Sequence, residues 1–135
     1  MSGSAATVVV LVVEDEPLVR MHAVDLLEDE GFTVIEAGTG DEGLAFLHAR
    51  PDIDVLFTDV EMPGSLDGLA LARQTVLHFP GVCVLIVSGR ALPTKEQLAS
   101  GACFFSKPYR GQAIVDHIRT VSADRPSTGC TSPAA

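Results

Sequence analysis

Val8-Val9-Val10-Leu11-Val12-Val13-Glu14-Asp15-Glu16 is the stretch that decides the fold. Its apolar part is continuous and rich in β-branched residues. A strand with one wet face would alternate apolar and polar side chains, so an unbroken run predicts a strand covered on both faces, as in a parallel sheet sandwiched between helices. The run stops abruptly at three acidic residues, and the sequence after them is helix-compatible. The same cadence recurs outward along the chain. Thr33–Glu36, Val55–Thr58, Val82–Val87 and Ala102–Phe105 are further strand-like runs, each followed by a stretch that suits a helix or turn.

The connecting segments carry helix signals. Val19, Ala23, Leu26 and Leu27 form an apolar stripe on one face of a first helix that Gly31 ends. Thr39-Gly40-Asp41-Glu42 has the spacing of a capping box and opens a second helix running to about Ala49, before Pro51. Leu66, Leu69, Ala70, Ala72, Val76 and Leu77 support a third, with Asp67 as its cap and Pro80 closing it. Thr94-Lys95-Glu96-Gln97 is another capping box, whose helix has room only as far as Gly101. Ile114, Val115, Ile118 and Val121 mark a fifth. Five strand–helix repeats predict an open, doubly wound five-stranded parallel α/β sheet, because parallel neighbours need right-handed crossovers. Residues 1–6 are expected to be a flexible N-terminus, 7–123 the folded domain, and the Ser-, Thr-, Pro- and Gly-rich residues 124–135 a loose tail with no second domain.

Composition narrows the function. The chain has 135 residues, 47% of them hydrophobic, enough for a packed core. No apolar run approaches the ~18 residues that span a bilayer, and Met1–Thr7 carries no positive charge ahead of the apolar run as a secretory signal would, so a cytoplasmic location is expected. With 9 Lys and Arg against 18 Asp and Glu, a net charge of −9 argues against a nucleic-acid surface and suits a concentrated carboxylate site that takes a cation. Cys83, Cys103 and Cys130 have neither zinc nor disulfide spacing. The first two read as core thiols and the third as an exposed tail residue. His22, His48, His78 and His117 fall on different predicted helices without ligand spacing and read as structural or surface groups rather than phosphoryl carriers.

In open α/β sheets ligands bind beyond the carboxyl ends of the strands. There the sequence places Glu14-Asp15-Glu16, Asp59 with Glu61, Ser88-Gly89 and Ser106-Lys107-Pro108. Singly each has an ordinary explanation: Asp59 a cap or solvated turn, the acidic triplet a helix start favoured by the macrodipole, Ser88 a cap, Lys107 a surface charge. Jointly they do not. Carboxylates brought within about 4–6 Å repel unless something compensates, and Mg²⁺ is a natural compensator, using one or two carboxylates, waters and a phosphoryl oxygen. One carboxylate can then attack phosphorus to form an acyl phosphate, while a lysine and a hydroxyl donate to the developing charge.

The ordered motifs Val13-Glu14-Asp15-Glu16-Pro17, Thr58-Asp59-Val60-Glu61-Met62-Pro63, Asp67-Gly68, Val87-Ser88-Gly89 and Ser106-Lys107-Pro108-Tyr109 make the chain resemble the CheY-like receiver family over nearly its whole length. The resemblance implies a flavodoxin/CheY-like (βα)5 fold and a stand-alone response regulator of bacterial two-component signalling. It implies that Asp59 is the phosphoacceptor, that Glu14 and Asp15 hold Mg²⁺ together with Asp59 and the backbone carbonyl of Glu61, and that Ser88 and Lys107 bind the phosphoryl group. It also implies that Phe104 follows the switch with its rotamer and that a cis peptide precedes Pro108. The implied partners are a sensor histidine kinase or phosphotransfer protein, then a downstream protein target, with no nucleic acid or membrane. A weak or phosphorylation-dependent homodimer is a further implication. The only chemistry expected is self-catalysed phosphoryl transfer and autodephosphorylation.

The chain departs from the common pattern in two places. The Met62–Gly68 loop is a residue longer. The Ser88–Lys107 interval is about three residues short, nearly one helical turn, so the fourth-helix region and the output surface it forms are expected to differ. Glu61 and Arg90 flank the site, either as a pair across it or as two independent solvated charges. Two other classes remain to be weighed: a pseudo-receiver acting only as a protein-interaction module, and an aspartyl-nucleophile phosphatase of the haloacid-dehalogenase type. The phosphatase family places a second Asp two residues after the nucleophile, where this chain has Glu61, and puts the nucleophile on its first strand.

Overall fold

The five apolar runs pair with one another into one sheet. A computed structural model describes residues 7–60, 67–89 and 101–123. In it the strands are β1 (Val9–Val13), β2 (Thr33–Ala37), β3 (Val55–Asp59), β4 (Cys83–Ser88) and β5 (Ala102–Ser106). They lie in the order β2-β1-β3-β4-β5, and every neighbouring pair is parallel. The connecting helices among the described residues are α1 (Pro17–Asp29), α2 (Gly40–Ala49), α3 (Gly68–His78) and α4 (Gly111–Ala123). The helix expected from Thr94 to Gly101 falls on residues 90–100, outside the described ones, apart from Gly101 itself.

The alternation of side chains along each strand explains why the runs of the central strands β1, β3 and β4 are apolar almost throughout. Val10, Val12, Val55, Phe57, Leu85, Val87 and Cys103 face one way and pack on Ala23, Val24 and Leu27 of α1 and on Ile114, Val115 and Ile118 of α4. Val9, Leu11, Val13, Leu56, Val84 and Ile86 face the other way and pack on Leu47 of α2 and on Leu71 and Ala72 of α3. Both faces are therefore covered. Burying one such Leu or Ile side chain is worth about 1.5–3 kcal/mol, so the two clusters dominate the stability of the fold.

Helix ends follow local chemistry. Thr39 caps α2 by accepting from the Glu42 amide at 3.0 Å, but the Glu42 carboxylate reaches one residue further back than a capping box requires, accepting from the Gly38 amide. Asp67 caps α3 by accepting from the Ala70 amide at 2.9 Å. Gly31 ends α1 at a φ of 92°, a left-handed conformation that glycine adopts without strain. The buried face of α1 is Ala23, Val24 and Leu27 rather than the stripe beginning at Val19, which is 41% exposed. The first turn of α1 overhangs the carboxyl edge of the sheet, and Val19 there borders an open cleft instead of the core.

Candidate functional site

The sequence-predicted carboxylates, hydroxyl and lysine that lie in described residues sit on the carboxyl edge of the sheet, but they are held there by different means. Glu14 follows β1 directly. Its amide donates to the Ala37 carbonyl at the end of β2 at 3.0 Å, and its own Oε2 accepts from the Glu16 amide at 3.1 Å. Asp59 is the last ladder residue of β3, in register with Val87 of β4. The next residue, Val60, stays attached to β4 by donating to the Val87 carbonyl at 3.0 Å. Gly68, the first residue of α3, donates to the Val60 carbonyl at 3.1 Å, and a Cβ added to it would overlap the Asp59 carbonyl. Only glycine lets α3 approach this closely, which explains the Asp67-Gly68 pair: one residue caps the helix and the next lets its end rest on the Asp59 backbone.

Lys107 comes in from β5. Its amide donates to the Ser88 carbonyl at 2.7 Å, and its alkyl chain lies along Gly89. Its ammonium then reaches across the edge to Asp59 Oδ1 at 3.3 Å and Glu14 Oε1 at 3.5 Å. Glu14, Asp15 and Asp59 each offer a carboxylate oxygen, and these oxygens lie within 4.8 Å of one another. Glu14 and Asp59 are buried, Asp15 half-buried.

Such a cluster is electrostatically costly. Burial pushes the Glu14 carboxyl above the ordinary glutamate range, and the charges of Asp59 and Asp15 push it the same way. The Glu16 amide and the Lys107 ammonium oppose the shift without cancelling it. Burial pulls the Lys107 pKa down, but Asp59 and Glu14 outweigh it and hold the ammonium above its usual pKa. Three clustered carboxylates thus share one ammonium, which contacts two of them. Hard oxygen donors, negative charge in excess and a partly open edge are the features that suit a small divalent cation, so the residues present fit Mg²⁺. A soft or tetrahedral metal would ask for sulfur or imidazole, and this cluster offers neither.

The remaining predicted residues fall into three groups. Ser88 ends β4, buried, in register with Ser106 and one position past the Val87 that pairs with Asp59. Phe104 is partly buried in β5, paired with Ile86, so it lies on the same sheet face as Ser88 two residues further along the register. The Lys107–Pro108 peptide is cis. Glu61 and Arg90 lie outside the described residues, as does their suggested pairing. The histidines keep away from the carboxylate cluster: His48 meets Phe79 edge-on at 5.1 Å, and the buried His117 meets Phe105 at 5.5 Å.

Two residues near the site were not singled out for it by the sequence. Tyr109 stands edge-on to Phe57 at 5.7 Å and closes the cleft behind Lys107, where burial raises its phenol pKa. Arg20, one turn into α1, donates from Nη1 to the Glu14 carbonyl at 2.8 Å and from Nε to Glu36 Oε1 at 3.2 Å. The position of Arg20 one turn after the acidic triplet was the available signal. The acceptor on β2 was not readable before strand order was known.

Comparison with known proteins agrees with this architecture. The family model described as the response regulator receiver domain matches residues 10–119. The sensor kinase CckA of Brucella abortus is 40% identical over 92 residues, which is 67% of this chain and 9% of that protein. The transcriptional regulatory protein CseB of Streptomyces avermitilis is 39% identical over 116 residues, 83% of this chain and 48% of the relative. The chain thus spans from under a tenth to about half the length of these relatives. Among solved structures, the receiver domain from the hybrid histidine kinase CckA superposes with a TM-score of 0.70 at 31% identity, covering 83% of this chain and 96% of that one. A CheY-like receiver domain protein from Methanospirillum hungatei JF-1 superposes at 0.77 with 23% identity over 88% of this chain and 96% of its own, a likeness of fold. Receiver domains bind Mg²⁺ in an acidic pocket and interact with histidine kinases or phosphotransfer proteins in two-component signalling. With the family model covering residues 10–119, this chain belongs to the response regulator receiver domain family.

Proposed function

We propose that this chain is a phosphorylation switch that takes a phosphoryl group onto Asp59 from a phosphohistidine of a kinase or phosphotransfer protein. The observation that carries this reading is the convergence of Glu14, Asp15 and Asp59 on one spot with Lys107 3.3 Å from Asp59 Oδ1. An Asp59 carboxylate oxygen attacks phosphorus, the bond from phosphorus to the donor imidazole nitrogen breaks, and the imidazole leaves neutral after taking up a proton. Burial matters here because it strips water from the nucleophile and strengthens each nearby charge. Mg²⁺, held by Glu14, Asp15, Asp59 and the Glu61 carbonyl, would supply compensation for charge on the phosphoryl oxygens. Lys107 stabilises the same charge from the β5 side, and Ser88 supplies a hydroxyl at the end of β4.

Several contacts have to act together. Moving a two-state switch from 1:99 to 99:1 takes about 5.5 kcal/mol of differential binding, whereas one hydrogen bond to a charged group gives roughly 1.5–3 kcal/mol. Ser88, Lys107 and the metal together reach that total, and Phe104 is the side chain we assign to follow the change. We take residues 7–123 as the receiver unit, in keeping with described elements that run from Val9 to Ala123. The test is intact-mass spectrometry of the protein incubated with acetyl phosphate and Mg²⁺. One added phosphate, lost in EDTA and in Asp59→Asn, supports the reading. No phosphate, from acetyl phosphate or from any of several phosphorylated histidine kinases, makes the chain a pseudo-receiver.

A further inference from the structure

Glu14 and Asp15 stand in the turn between β1 and α1, and a turn aims its side chains only as well as its backbone is held. The Glu14 amide is fixed from one side by the Ala37 carbonyl at 3.0 Å. From the other side its carbonyl accepts from Arg20 Nη1 at 2.8 Å, while Nε of the same guanidinium holds Glu36 Oε1 on β2 at 3.2 Å. Nη1 also lies so near Gly38 that a Cβ there would meet it at 3.4 Å. The Arg20 side chain is 23% exposed and that of Glu36 53%, so the arm to the Glu14 carbonyl is the better shielded of the two. One planar fork therefore joins the start of α1, the acidic turn and the end of β2, which an ammonium with a single point of charge cannot do.

We propose that Arg20 is a positioning residue for the acidic site, holding the Glu14 carbonyl against the end of β2 so that the Glu14 and Asp15 carboxylates stay converged on Asp59. The inference rests on reading that cluster as a Mg²⁺ site. Like charges this close drive the turn to open when no cation is bound. With the tether in place the site stays assembled, and a cation meets a prepared set of oxygens. Without it the carboxylates spread, and the free energy needed to gather them again is subtracted from cation binding.

The sign of the effect separates positioning from plain charge. Arg20 is itself a cation, so if it acted only through its field its removal would tighten Mg²⁺ binding. A positioning role predicts the reverse. Isothermal titration of Mg²⁺ into the full chain, with melting curves in EDTA as a check on folding, reads the difference. Arg20→Met is expected to weaken binding about tenfold, the scale of one charge-assisted hydrogen bond. Arg20→Lys keeps the charge but reaches one acceptor, and should weaken it about threefold. Glu36→Gln, which removes only the more exposed arm, should weaken it by no more than about twofold.

Arg20→Met binding Mg²⁺ as tightly as the wild type, or more tightly, overturns the proposal. Should Arg20→Met fail to fold, Arg20→Lys decides, and wild-type affinity in that variant overturns it equally. A wild type that takes up no Mg²⁺ at all overturns the reading of the cluster itself, which a positive wild type with unaltered variants would leave standing.

Discussion

Two aspartates bracket β3, and they are used in opposite ways. Asp54, just before the strand, accepts from the Val9 amide at 2.9 Å, while its own amide donates to the Val9 carbonyl and its carbonyl accepts from Cys83. Its polar groups tie β1, β3 and β4 together at the amino edge. Asp59, at the last ladder position, stands among Glu14, Asp15 and Lys107 at the carboxyl edge. The first carboxylate is committed to the backbone and stabilises the sheet. The second is crowded by its own kind, with Lys107 as counter-ion. Crowded charge is what a cation or phosphoryl group can be recruited to relieve, so the contrast separates an architectural aspartate from the one proposed to carry the chemistry.

The largest expected effect breaks the comparison directly. Asp59→Asn should abolish phosphorylation while raising metal-free stability by about 1 kcal/mol, because it removes one of three clustered charges. Urea unfolding in EDTA checks the stability. A destabilised Asp59→Asn would mean that the carboxylate serves the fold as Asp54 does. Asp54→Ala is expected to cost about 1–3 kcal/mol, since it orphans the Val9 amide, with the phosphorylated fraction of the folded protein unchanged. Loss of phosphorylation in folded Asp54→Ala would show that the two edges are coupled.

Gly68→Ala lies between these. The added methyl must displace either α3 or the Asp59 carbonyl, so a loss of about 1–3 kcal/mol and severalfold slower phosphorylation are expected together. A loss of stability with unaltered phosphorylation would place the adjustment in α3 alone.

The smallest effect concerns pH. The Glu14 carboxyl is raised in the fold above its ordinary 4.5, so the folded state holds that proton more tightly than the unfolded chain. The associated stability is fully present below about pH 4.5 and is lost as pH rises through the raised value. Metal-free Glu14→Gln should therefore be more stable than the wild type at neutral pH, by no more than about 1 kcal/mol, with the difference vanishing as pH falls toward 4.5. A difference that grows on acidification would reverse the assignment.

How much of this was legible beforehand varies with the range of the contact. Apolar runs, most of them continuous, located all five strands, because burial on both faces marks nearly every residue of a central strand, whereas β2 at the sheet edge keeps Thr33 and Glu36 exposed. The runs missed the terminal ladder residues Ala37, Asp59, Ser88 and Ser106, since a backbone ladder does not require an apolar side chain at its end. Asp59 and Ser88, expected at the strand ends, are the last paired positions of β3 and β4. Thr39 and Asp67 were readable as caps because their partners are three residues away. Arg20 and Asp54 were not, because their partners lie on other strands and become neighbours only when the order β2-β1-β3-β4 is known.

The most direct measurement is borohydride trapping after incubation with acetyl phosphate and Mg²⁺, followed by peptide mass spectrometry. Borohydride reduces an aspartyl phosphate to homoserine and leaves a free carboxylate alone, so it identifies the acceptor side chain. Homoserine is expected at position 59, dependent on Mg²⁺, with Asp15 and Asp54 unchanged. Homoserine at another aspartate, or phosphate uptake with Asp59 intact, would contradict Asp59 as the acceptor.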